Sequence, residues 1–204
     1  MGAVVVVLPF WRRLKLEDLI VDLRMYVKEI DRAKENYQRR AEELYRKARK
    51  AAMEGNELRA KAYLRQHLEC DKTAFALDMF IINMEQLIFD LRNAKGVEAI
   101  GKCLGKISKC LGKLKLLDVR GVASVVAKVN RQMEKIGLSV ESVFDAIKDY
   151  EPFRIEPLTE DEVDRAYDRL LSEIAQEVPK VPELEVKAAE LQKKREEFKS
   201  RSER

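Results

Sequence analysis

Histidine is almost missing from this chain: His67 stands alone among 204 residues. A nucleophile–histidine pair would have to use it, and it falls at an apolar seam position of a helix, where a core or interface histidine is the ordinary role. There is no G-x-x-x-x-G-K-[ST], G-x-G-x-x-G, H-E-x-x-H or C-x-x-C, which excludes the usual phosphate-cradling, dinucleotide and zinc signatures. Glu69 and Asp71 flank Cys70 but point to different helix faces, and the other carboxylates scatter as on any solvated helix. No residue is assigned a catalytic, cofactor-binding or metal role. The chain reads as a non-enzyme without cofactors or a small-molecule substrate.

Cys70, Cys103 and Cys110 are the only cysteines. The last two are seven apart, about 10 Å along a helix and beyond disulfide reach, so all three read as small apolar residues in a reducing compartment. With 7% aromatics, eight Gly and five Pro against 37% charged residues, a sandwich or barrel is excluded in favour of long surface helices. No apolar run reaches the ~18–20 residues that span a bilayer.

What the chain does have is helical periodicity. Leu16, Ile20, Leu23, Val27, Ile30, Tyr37, Ala41, Leu44, Ala48 and Ala51 keep a 3–4 alternation broken only by Lys34, which specifies one long helix ending near Met53. Gly55-Asn56 stops it and caps the next. Ala60, Tyr63, His67, Cys70, Ala74, Leu77, Ile81, Met84, Ile88 and Leu91 form a second seam. Two long helices joined so tightly make an antiparallel hairpin. The second helix carries another stripe, Leu64, Leu68, Phe75, Met79, Ile82 and Phe89, which one partner cannot cover. Later helices or another copy must do so, and this stripe is the candidate polymer interface.

Residues 96–117 keep an apolar seam, but Gly96, Gly101, Gly105 and Gly112 weaken it by up to ~1 kcal/mol each and suggest a hinge. Its other face is basic: Lys95, Lys102, Lys106, Lys109, Lys113 and Lys115. Val119 to Ile136 mark a further helix stopped at Gly137, Ser139 caps a short one running to about Tyr150, and Pro152 and Pro157 begin a linker. Thr159 and Glu162 have capping-box spacing before the stripe Val163, Ala166, Leu170 and Ile174. EVPKVPEL and a last amphipathic stretch follow, too polar to hold a core alone.

The net charge of +4 conceals a division. Residues 1–150 hold 29 Lys+Arg against 21 Asp+Glu, residues 151–185 hold 4 against 11, and residues 186–204 hold 7 against 4. A basic body with an acidic segment suits a body that meets phosphates or lipid headgroups and a segment that folds back on it. The basic region 95–135 could meet nucleic-acid phosphates, but it lacks interleaved aromatics and any helix-turn-helix or zinc pattern. An anionic membrane surface serves it equally well.

The hairpin IDRAKENYQRRAEELYRKARKAAMEGNELRAKAYLRQHLECDKTAFAL, the end of its second helix MEQLIFDLR, the distal VNRQMEKIGLSVESVFDAI and the segment DEVDRAYDRLLSEIAQEVPKVPE together resemble the ESCRT-III family, over about residues 12–185. That family includes the charged multivesicular body proteins and the archaeal cell-division homologues. The resemblance implies an all-α fold: a helical core over 14–150, with a hairpin at about 14–94 and distal helices at about 96–150, then a regulatory tail over 151–204. It implies a cytoplasmic, peripherally membrane-associated subunit that polymerises with itself or sister subunits on anionic membranes and drives constriction or scission. Such subunits are held closed by the tail, open by fusing their second and third helices, and are recycled by an AAA ATPase whose MIT domain grips tail motifs.

Two segments resemble those motifs. LQKKREEFK offers Leu191, Lys194, Phe198 and Lys199 but places Arg195 where an apolar anchor belongs. VPKVPEL offers Val178, Pro179, Val181, Pro182 and Leu184 in an extended form with little entropy left to lose. The alternatives are a soluble coiled-coil adaptor, which needs only one seam, and a nucleic-acid-binding helical protein.

The opening MGAVVVVLPFWRRLK has its arginines behind the apolar run, unlike a signal peptide, and Val6 breaks the myristoylation pattern. Residues 1–13 therefore read as a membrane-anchoring segment. Val4, Val5, Val6, Val7, Leu8 and Phe10 insert shallowly, Trp11 sits at headgroup level, and Arg12, Arg13 and Lys15 meet the phosphates. Packing against a neighbouring copy or an interior groove is the competing role.

Overall fold

In the computed structural model the described residues are 10–114, 120–154 and 156–177, with side chains described from Leu16. Among the described residues six helices follow one another: α1 (Phe10–Met53), α2 (Glu57–Asn93), α3 (Val97–Leu114), α4 (Val122–Lys135), α5 (Val140–Ala146) and α6 (Glu160–Glu177). No strand occurs among the described residues.

The hairpin forms as its seams dictate. At 44 residues, α1 is about 66 Å long. Its end is a Schellman turn: the N–H of Gly55 donates to Ala52 O and that of Asn56 to Ala51 O, with Gly55 at φ 75°, a conformation glycine adopts without a Cβ clash. The Asn56 side chain accepts from the Arg59 N–H at 3.1 Å and so opens α2. The one polar break in the first seam, Lys34, reaches across the hairpin. Its ammonium lies 2.8 Å from Asp31 and 3.0 Å from Asp78, and both carboxylates raise its pKa.

Besides a small mid-hairpin cluster of Ala41, Leu44 and Cys70, two packing regions share the hairpin. At its open end the first half of α1 and the second half of α2 join α3 and α4 in one core that includes Leu23, Ile30, Phe80, Leu104 and Met133. Tyr26 meets Phe80 edge to face at 6.5 Å and donates its hydroxyl to Arg120 O, while Lys128 pairs with Asp22, so α4 is strapped to α1. Toward the turn, a smaller cluster joins Ala48 and Leu64 to Val163 and Leu170 of α6. The segment 151–159, anchored by the buried Phe153, carries the chain from one region to the other.

The glycines of α3 have a different role from the hinge suggested by their number. Helix α3 runs unbroken from Val97, and the break with α2 lies at residues 94–96, where Gly96 has φ 87°. A Cβ on Gly105 would stand 2.4 Å from Val143 and 3.0 Å from Ile147, and one on Gly101 would meet Leu138. These two glycines are the seat on which α5 and its approach pack. Gly112 has open space around it. Gly105→Ala is therefore expected to lower the melting temperature by overpacking, a cost of about 1–3 kcal/mol, whereas Gly112→Ala should leave it unchanged or raise it. A hinge whose glycines serve only flexibility would be stabilised by both substitutions.

Candidate assembly and membrane surfaces

The second stripe of α2 is divided by what covers it. Leu64 is 0% exposed and lies in the cluster with Val163 and Leu170, and Leu68 packs against that cluster. Met79 packs against the main core. Phe75, Ile82 and Phe89 remain 65%, 54% and 62% exposed. Leu64, and to a lesser degree Leu68 and Met79, are therefore not open to a second copy in this conformation. The other three form a heptad-spaced ridge about 21 Å long. A groove of about 600 Å³ opens at its start, lined by Leu68, Asp71, Lys72, Phe75 and Ala76 with Arg154 and Glu156 from the linker.

Helix α6 holds the covered half through charge as well as apolar contact. Its first turn is acidic, and this row meets a basic row of α2. Arg65 donates to both carboxylate oxygens of Glu160, Lys72 lies 2.9 Å from Glu162, and Lys61 lies 2.9 Å from Asp164 with its ammonium 5.3 Å from the Tyr167 ring centroid. Glu162 also accepts from the Thr159 N–H at 2.8 Å, the carboxylate half of the capping box the spacing foretells. Lys72 adds a bond to Pro157 O at 3.0 Å. At the other end of the helix the Tyr45 hydroxyl donates to Glu173.

These contacts move the titrations. The Lys72 ammonium first, then the Thr159 N–H, hold the Glu162 carboxyl down at about 2. Glu57 and then Asp164 raise the Lys61 ammonium, and Glu160 raises Arg65. His67 has a packing role: its Nδ1 lies 3.0 Å from Ala41 O and its ring tilts against Tyr45 at 5.2 Å. Burial pushes the Cys110 thiol up to about 12 and raises those of Cys70 and Cys103, the opposite of a reactive nucleophile.

The lysines of α3 do not form the free basic face that their spacing suggests. Lys109 donates to Ile147 O at 2.6 Å and Lys148 O at 3.2 Å, closing the end of α5. Lys113 pairs with Glu151 at 3.7 Å and Lys102 with Glu98 at 2.7 Å, while Lys106 stands 5.3 Å over the Tyr150 ring. Lys95 is exposed and Lys115 lies outside the described residues.

A surface that the sequence reading missed lies on α1. Val21 and Met25 are more than half exposed, and Arg24, Lys28 and Arg32 are exposed near them. Their one-turn spacing away from the seam was the available signal. Of the proposed anchor, Val4 to Leu8 lie outside the described residues, and Phe10, Trp11, Arg12, Arg13 and Lys15 are described only as backbone of α1. The motif residues Val178, Pro179, Val181, Pro182, Leu184, Leu191, Lys194, Phe198 and Lys199 also lie outside the described residues. Among the described residues no helix is long and apolar enough to cross a membrane, and no group of three or more His, Cys, Asp or Glu could hold a metal.

Because the folded pKa of Glu162 is depressed, its contribution to the docking of α6 is present above the ordinary carboxylate range and is lost as pH falls from about 4.5 through about 2. Energy transfer between dyes on Ser172 and Gln38 should fall over that interval, and Glu162→Gln should flatten the fall. An unchanged profile in the variant would place the sensitivity elsewhere.

A family model, Snf7, matches residues 18–196. No curated protein and no solved structure matches the chain.

Proposed function

The chain belongs to the Snf7 family, the ESCRT-III domain family, and from that premise we propose that it is a filament-forming subunit that assembles on anionic membranes, constricts or cuts them, and is recycled by an MIT-domain AAA ATPase. Family membership supports a structural, non-enzymatic, membrane-remodelling role with self-assembly and membrane binding. The observation that carries the finer reading is the divided ridge of α2, half bare and half under an acidic helix held by exposed ion pairs. An adaptor with one seam would need neither half.

In this reading the docked α6 is the closed state. Anionic lipid competes for the basic row Lys61, Arg65 and Lys72, because headgroup phosphates offer the same chemistry as Glu160, Glu162 and Asp164. Release bares Leu64 and Leu68 and lengthens the ridge from three apolar residues to five for a neighbouring copy. Val4 to Lys15 anchor the assembly, with Val21, Met25, Arg24, Lys28 and Arg32 continuing the lipid-facing surface. The nucleic-acid alternative loses its main support with the engagement of the α3 lysines.

Neutralising the row with Glu160→Gln, Glu162→Gln and Asp164→Asn opens the helix while keeping every hairpin cation. The triple variant should bind phosphatidylserine vesicles several-fold more tightly than the parent in co-sedimentation and form filaments visible by electron microscopy. Deleting residues 2–10 should lower vesicle affinity in both backgrounds. A triple variant that binds no better and forms no filaments would refute the reading, and loss of solution assembly alone on deleting 2–10 would make that segment a packing element.

A further inference from the structure

The turn of the hairpin carries a surface that neither the α2 ridge nor the N-terminal segment uses. Met53 closes α1 and Leu58 stands in the first turn of α2, on either side of the Gly55-Asn56 apex. They are 65% and 86% exposed, and Leu58 is the most exposed large apolar side chain among the described residues. Neither belongs to a packed cluster. The turn does not depend on them: its bonds run through the backbone of Ala51, Ala52, Gly55 and Asn56, and the Asn56 side chain caps α2.

The charges around the apex point to what covers it. Residues 46–61 hold six Lys+Arg against two Asp+Glu, and Arg46, Lys47, Lys50 and Arg59 are exposed. Both acids already face a lysine, Glu54 at 4.0 Å from Lys50 and Glu57 at 2.7 Å from Lys61. Arg46 lies 3.9 Å from Glu42. Such pairs within one helix, open to water, are weak, and an outside anion competes with them. Size narrows the partner further. The end of two packed helices is roughly 10 by 20 Å, about 200 Å², a quarter of the ~800 Å² per side that a stable protein interface buries. A bilayer sets no such area: one or two apolar side chains enter it while cations beside them stay at headgroup level.

We infer that the hairpin tip is a second membrane-contact site, in which Leu58 and Met53 enter an anionic bilayer and Lys47, Lys50 and Arg59 meet its headgroup phosphates. It lies at the far end of the 44-residue α1 from the proposed N-terminal anchor, about 66 Å away. Held at both ends, the hairpin lies along the bilayer rather than standing on it. The inference rests on the membrane binding proposed above and adds a place to it.

Tryptophan fluorescence in the full chain tests it. With Trp11→Phe removing the native signal, Leu58→Trp reports the tip, and Ser124→Trp, exposed on α4, is the control. On phosphatidylcholine vesicles that contain phosphatidylserine and brominated acyl chains, Leu58→Trp emission should move to the blue and be quenched about twofold, while Ser124→Trp changes little. Met53→Ser with Leu58→Ser, which keeps every charge, should lower vesicle affinity about tenfold in co-sedimentation, with or without residues 2–10. Circular dichroism checks that each variant folds. An unchanged Leu58→Trp signal on vesicles that do sediment with the chain would overturn the inference and leave the proposed membrane binding standing. A parent chain that does not sediment with the vesicles would overturn both. A serine variant with full vesicle affinity would overturn the inference, as would one whose only defect is lost self-assembly without lipid, which would give the tip to another copy.

Discussion

From Ala60 to Leu91, α2 presents apolar side chains to three directions, and no single neighbour can bury them all. Its seam goes to α1. Ala76, Phe80 and Leu87 join the core that α3 and α4 complete. The third direction is covered by α6 over Leu64 and Leu68 and left bare at Phe75, Ile82 and Phe89. At about 25 cal/mol per Å² of apolar surface removed from water, such a ridge is a standing drive toward whatever covers it next. Most of the remaining architecture decides what that is, and when.

The hold of α6 is suited to being undone. Its apolar contact is small, with Ala48, Leu64, Val163 and Leu170 as the buried members. Its ion pairs are partly or largely open to water, so salt screens them and anions compete with them. The main core is larger, joins five helices and is closed by packing into the glycine seats of α3. Helix α6 is thus held less firmly than the body, the division of stability that the proposed release requires.

The hairpin was legible because its signals are local: two 3–4 seams, a Gly-Asn turn and no competing breaker. The capping box at Thr159 and the packing role of His67 were legible for the same reason. Tertiary choices were not. Lys106, Lys109 and Lys113 look like a free basic face until the end of α5 and the linker supply a ring, carbonyls and a carboxylate for them. Gly101 and Gly105 look like a hinge until Leu138 and Val143 are found against them. The second stripe of α2 was readable as a stripe, but its division at Phe75 depends on where α6 crosses the hairpin, which no spacing within α2 encodes.

In the proposed function the α2 ridge exchanges an internal cover for a neighbouring copy when the chain assembles on a membrane. A cryo-electron microscopy reconstruction of filaments grown on anionic lipid tubes addresses it directly. In such filaments α6 should have left Leu64 and Leu68, and the ridge from Leu64 to Phe89 should be buried against an adjacent subunit. Filaments in which α6 still lies on Leu64, with Phe75, Ile82 and Phe89 facing solvent, would contradict it.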